Sequence, residues 1–200
     1  MAVATLTQYE AKTYGDIAGG LDGISKEQLD THFKLYQGYV NNFNTVVQKT
    51  AALLEAQDFG PVFNELKRRY AFEFNGVRLH ELYFGNLKNQ GGELGSGALR
   101  GALEAQFGSY DAWATDFKKT GALRGIGWAV LFQDEETGRL FNFFINDHEN
   151  GMPVGLTPIL VMDVWEHAYT GDYKATERGN YIEAFFRNIN WPVVEARFGH

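Results

Sequence analysis

The chain of 200 residues has no cysteine. Disulfides, thiolate metal sites and cysteine nucleophiles are therefore excluded, and any transition-metal site must draw on histidine and carboxylates. Histidine is itself scarce: the five stand at 32, 80, 148, 167 and 200. Proline is limited to four residues, so long helices can run uninterrupted. No apolar run is long enough to span a bilayer. The start MAVATLTQYEAKTYGD lacks the basic and apolar regions of a secretory signal. The expectation is a soluble, cytoplasmic protein. No basic block stands out, and the net charge is −7. Nucleic acid and anionic membrane surfaces are thus poor partners. What is abundant is apolar and aromatic residues, 44% and 15% of the chain, enough for a sizeable core and against disorder.

Residues 1–23 read as irregular, broken by Gly19, Gly20 and Gly23. Ser25 with Gln28 reads as a capping box. Leu29, His32, Phe33, Tyr36, Tyr39, Val40, Phe43, Val46 and Val47 then form one helical stripe that runs to about Glu55. Pro61 suits the first turn of a second long helix, which ends before Gly91–Gly92. Two long helices with a short link predict an antiparallel α-hairpin. NQGGELGS at 89–96 marks the boundary, which divides the chain into 1–92 and 93–200. Beyond it, 97–107 and 110–121 read as shorter helices, with Ser109 as a cap. GWAVLFQ at 127–133 and LFNFFI at 140–145 read as strands joined by DEETGR, and 158–164 as a third. Helical segments are expected near 168–175 and 179–190, with Trp191–Pro192 as a stop. The class is α+β: a long N-terminal α-hairpin followed by a C-terminal α/β domain with a three-stranded antiparallel sheet.

Chemistry concentrates in few residues. Asp163 and His167, in DVWEHAY, lie four apart. A carboxylate with an imidazole suits iron, manganese or zinc, although an ordinary i, i+4 helix pair is the plainer reading of that spacing. His32 and His80 each lie on or beside an apolar stripe, where an imidazole needs a partner. A buried, hydrogen-bonded core histidine is the bland reading of either alone. Together on adjacent helices, with Asp163 and His167, they make a candidate His₃Asp site. Tyr39 follows His32 by seven residues and shares its face, at about −20° from whole turns. His148 follows a strand, where a solvated loop histidine is the default. His200 is terminal and is set aside.

These residues and their surroundings resemble the iron/manganese superoxide dismutases over nearly the whole length. The motifs are DVWEHAY at 163–169, GW at 127–128, FGSYDAW at 107–113, NYIEAFFRNINW at 180–191, ISKEQLDTHF and GYVN within 24–42, and RLHELYFGNL at 78–87. The resemblance implies one Fe or Mn per chain held by His32, His80, Asp163 and His167. It implies disproportionation of superoxide to O₂ and H₂O₂, with Trp128 and Trp165 lining the site. It gives catalytic roles to Tyr39, as gateway and proton relay, and to His148, as the group orienting the solvent. It further implies a homodimer in which Glu166 reaches His167 of the partner subunit.

The chain departs from the family at several positions. The usual Gln, four before His80, is Gly76; the usual His, four before Tyr39, is Leu35; and the usual Tyr after HAY is Thr170. The N-terminal LPxLPY segment is absent. The family places eight residues between its first ligand and the Tyr, a rotation of about 80° beyond whole turns. An ungapped alignment would put Thr31 on the ligand position. One deletion after Lys34 puts His32 there, and the expectation is a first helix without the family's π-bulge. Lys34 and Arg178 are candidates for a positive rim, and Arg124 for a structural role. The competing readings are a non-catalytic superoxide dismutase-like interaction protein, or another iron enzyme on two His and a carboxylate.

Overall fold

The computed structural model describes residues 8–199; His200 therefore lies outside the described residues. Helix α1 (Lys26–Glu55) and helix α2 (Pro61–Gly85) form the expected antiparallel hairpin. α1 is α-helical throughout with no π-turn, as the seven-residue spacing requires. Its buried stripe includes Leu29, His32, Tyr36, Val40, Phe43 and Val46.

The capping box is only half present. Ser25 accepts the Gln28 amide N–H, but the Gln28 carboxamide does not turn back. Its Nε2 donates to the His167 carbonyl at 2.6 Å and its Oε1 accepts from the Gly171 amide at 2.7 Å. The Ser25 N–H is satisfied instead by Asp172. A distant chain segment thus outcompeted the local partner, and it ties α1 to residues 167–172.

Helices α3 (Ala98–Phe107) and α4 (Tyr110–Gly121) lead into strand β1 (Gly127–Asp134). Ser109 caps α4 through the Ala112 N–H. β1 pairs antiparallel with β2 (Leu140–Asn146) on one side and β3 (Leu156–Asp163) on the other. This central position buries seven of its eight residues, which explains an apolar run without alternation. β3 begins earlier than expected. Its Pro158 sits beside a bulge opposite Leu131 and Phe132, where a residue lacking an N–H interrupts no regular ladder.

Two expectations after β3 need correction. Residues 168–175 do not form a helix: short 3₁₀ turns at Glu166–Ala168 and Ala175–Glu177 flank an irregular loop. Helix α5 spans Arg178–Arg187. Trp191–Pro192 is not a stop but the first turn of α6 (Trp191–Arg197), because proline's missing N–H costs nothing there. No described helix is long and apolar enough to cross a membrane.

Asn86, the C-cap of α2, joins the hairpin to the sheet. Its Oδ1 accepts from the Val161 N–H at 2.9 Å, and its Nδ2 donates to the Val161 carbonyl at 3.2 Å and to Tyr83. Both outward-facing backbone groups of Val161 are thereby met. The contact fixes the strand ending at Asp163 against the helix carrying His80. Replacement of Asn86 by Ala leaves these buried groups unpartnered, and each lost partner costs about 1–3 kcal/mol. Urea unfolding of Asn86→Ala is expected to show a stability loss of about 2–4 kcal/mol.

Candidate metal centre

Four separate elements deliver the site. His32 comes from the second turn of α1, His80 from the last turns of α2, Asp163 from the end of β3 and His167 from the 3₁₀ turn that follows. The turn at 163–167 is set locally: Asp163 Oδ1 accepts the Trp165 N–H at 2.8 Å, leaving Oδ2 to face inward. Around that oxygen stand His32 Nε2 at 3.0 Å, His167 Nε2 at 3.3 Å and His80 Nε2 at 3.7 Å. All four donor atoms lie within 4.8 Å of one another. His32, His80 and Asp163 are buried, and the His167 side chain is 19% exposed.

The donor set fits a cation. His80 Nε2 and His167 Nε2 are buried without a hydrogen-bond partner, an arrangement costly for polar groups. His80 Nδ1 lies 2.6 Å from the Gly76 carbonyl. A carbonyl only accepts, so Nδ1 carries the proton and Nε2 presents its lone pair inward. Burial would raise the Asp163 carboxyl, but the His167 and His32 imidazoles hold it well below the usual carboxylate range. A carboxylate with three imidazoles is a donor set for iron, manganese or zinc. Trp128 on β1 is paired in register with Asp163, and its ring lies 5.0 Å from that of His80. Phe84, Tyr83 and Trp165 close the remaining walls.

His148 is buried rather than solvated. Its Nδ1 accepts from the Trp128 indole N–H at 3.0 Å, and its Nε2 lies 2.7 Å from the Tyr39 hydroxyl. Both ring nitrogens are thus engaged. An indole N–H can only donate, so the neutral imidazole bears its proton on Nε2 and donates it to Tyr39. Burial pushes His148 down to about 4 and raises the Tyr39 hydroxyl. The Tyr39 ring rests on Gly76: a Cβ there would lie 2.6 Å from Tyr39 Cδ1.

Glu166 is exposed, and its carboxylate makes no hydrogen bond among the described residues. Arg178 is not a free rim cation: it donates to the carbonyls of Leu123 and Gly125 and to Tyr169. Arg124 is exposed and engages none of the described residues, so Arg178 fills the structural role expected of it. Lys34 is exposed in a groove with Lys12, Tyr14 and Phe33. The supporting contacts of Gln28, Asn86 and Asn75, which donates to the His148 carbonyl, were not read from the sequence. A carboxamide carries no periodic signal, and its partner is known only from the fold.

The pattern of shifts fixes an acid response. Burial lowers His32, His80 and His148 relative to free imidazole. Below about pH 6.5 the unfolded chain takes up these protons first. The metal-free fold is therefore expected to lose stability as pH falls from about 6.5, with the His148 share spent by about 4. Asp163, held low, contributes only above its own folded range and is lost at still lower pH. Urea midpoints between pH 7.5 and 4.5 check this, and His148→Gln should flatten the slope. Separately, Gly76→Ala should displace the Tyr39 ring and cost about 1–3 kcal/mol in the same assay.

Comparison with known proteins gives concordant matches. Residues 22–88 match the alpha-hairpin domain of iron/manganese superoxide dismutases, and residues 95–197 match their C-terminal domain. A superoxide dismutase [Fe] of Aquifex pyrophilus is 41% identical over 184 residues, covering 89% of this chain and 85% of its own. Superoxide dismutase [Mn] 2 of Haloferax volcanii is 37% identical over 176 residues, covering 88% and 87%. A superoxide dismutase [Fe] of Cupriavidus metallidurans is 37% identical over 195 residues, covering 95% and 96%.

Proposed function

The chain belongs to the iron/manganese superoxide dismutase family, and on that premise we propose that His32, His80, Asp163 and His167 hold one iron or manganese ion and form the active centre of a superoxide dismutase. The observation that carries the reading is the convergence of three imidazole nitrogens on Asp163 Oδ2, two of them buried and unpartnered. Relatives bear both metal names, so either ion is consistent with the family. The bound ion supplies the one-electron couple through which superoxide is disproportionated to O₂ and H₂O₂.

The protein's own residues do the rest. Gly76 fixes the tautomer of His80 through its carbonyl. Trp128, Trp165, Tyr83 and Phe84 keep water from the donors. Tyr39 and His148 manage protons. Because Trp128 donates to His148 and His148 donates to the Tyr39 oxygen, the Tyr39 hydroxyl proton remains free to be given toward the centre. On this reading His148 acts through Tyr39, since both of its ring nitrogens are engaged.

A homodimer joined through Glu166 and His167 belongs to the same reading. Metal-binding histidines ordinarily donate their second ring nitrogen to a carboxylate or carbonyl. His167 Nδ1 has no such partner among the described residues, and neither does the Glu166 carboxylate. Reciprocal pairing across a two-fold axis would satisfy both. We also divide the chain at 92/93, within a stretch between α2 and α3 that carries no long element.

Superoxide decay by purified protein, normalised to bound iron and manganese, tests the reading. His32→Ala is expected to lose both metal occupancy and turnover, by at least about a hundredfold in rate. Full metal content without turnover in the wild-type protein would overturn it.

A further inference from the structure

Access to the centre is narrow. His32, His80, Asp163, His148 and Trp128 are fully buried, whereas Tyr39, Trp165 and His167 keep partial exposure. A small anion must arrive on that side, and it does so against negative charge. The chain carries a net −7. A cation stands on that side as well: Arg69, whose guanidinium lies over the Phe72 ring that packs on Tyr39.

Arg69 is built into place. Its Nε donates to Glu73 Oε1 at 2.8 Å, and its guanidinium lies 3.8 Å over the Phe72 ring. Phe72 in turn packs on His148 at 4.7 Å and on Tyr39 at 6.2 Å between ring centroids. The pair is polarised with respect to solvent: the Glu73 side chain is 3% exposed and that of Arg69 47%. Glu73 Oε2 is buried without a partner. The two Nη groups of Arg69 make no hydrogen bond among the described residues. A carboxylate and a ring thus hold a cation outward beside the gateway with its donors unspent. The other two candidates are placed differently: Arg178 is committed to backbone carbonyls, and Lys34 lies in the groove of Lys12, Tyr14 and Phe33.

We propose that Arg69, oriented by Glu73 and Phe72, is the anion-guiding residue that draws superoxide to the Tyr39 side of the centre. The inference rests on the superoxide dismutase reading of the site. Its action is electrostatic, so it raises the rate of encounter and weakens with ionic strength.

The test is superoxide decay after pulse radiolysis, measured on metal-loaded wild type, Arg69→Gln, Arg69→Lys and Glu73→Gln between about 10 and 300 mM salt. Metal content and thermal midpoint are recorded for each. At low salt Arg69→Gln should lower kcat/KM by roughly three- to tenfold. Glu73→Gln should raise it, and Arg69→Lys should stay within about twofold of wild type. The differences should shrink as salt rises. If Arg69→Gln does not fold, Arg69→Gln/Glu73→Gln removes both charges and should still fall below Glu73→Gln. A salt-independent loss in both Arg69→Gln and Glu73→Gln would mean a packing role through Phe72 and would overturn the proposal, as would no change in either. A metal-loaded wild type without activity would instead overturn the parent reading, whereas an active wild type matched by Arg69→Gln overturns this inference alone.

Discussion

The organising constraint is the burial of one carboxylate. Asp163 lies with no solvent exposure where α1, α2, β3 and the following turn meet. A charge in that position is tolerable only if surrounding dipoles and cations compensate for lost water. Each neighbour is shaped by that need. Trp165 meets one oxygen through its backbone N–H, and three imidazoles crowd the other. Tyr181 donates to the Asp163 carbonyl and ties Tyr83 into the same cluster. A site so arranged is incomplete without a positive charge, and the chain's fold and its metal chemistry are therefore one problem.

Much of this was legible in the sequence, for physical reasons. The helical stripe of α1, the cap at Ser109 and the continuous apolar run of β1 are local signals that tertiary structure did not override. His32, His80, Asp163 and His167 were singled out as a candidate set from helix faces and spacing, whereas His148 was reached only through the family resemblance, since by position alone it reads as a solvated loop histidine and not the buried one it is. Misreadings occurred where local preference lost to a distant group. Gln28 abandoned the cap for residues 167 and 171. The loop after His167 declined helix, although its composition permits one. Pro192 began a helix where it was read as ending one, because proline is acceptable in a first turn and ruinous in later ones.

Gly76 illustrates how one small residue answers two demands. Its carbonyl holds His80 by the ring nitrogen that faces away from the centre, and its missing side chain leaves room for the Tyr39 ring. A larger residue at this position would keep the carbonyl but crowd the Tyr39 ring. The seven-residue spacing from His32 to Tyr39 works with it, since a regular helix places the two rings on one face. The spacing in α1 and the vacancy in α2 belong to the same adjustment.

The carboxamide of Asn86 has a consequence beyond joining two layers. β3 lies at the margin of its sheet, with its outer backbone groups turned away from β1. Such margins are templates on which another extended chain can add itself. At Val161, Asn86 occupies both the donor and the acceptor that a foreign strand would use. The residue that positions the helix of His80 thus also denies this margin to cross-chain pairing, and a protein that lost it would become more prone to aggregate.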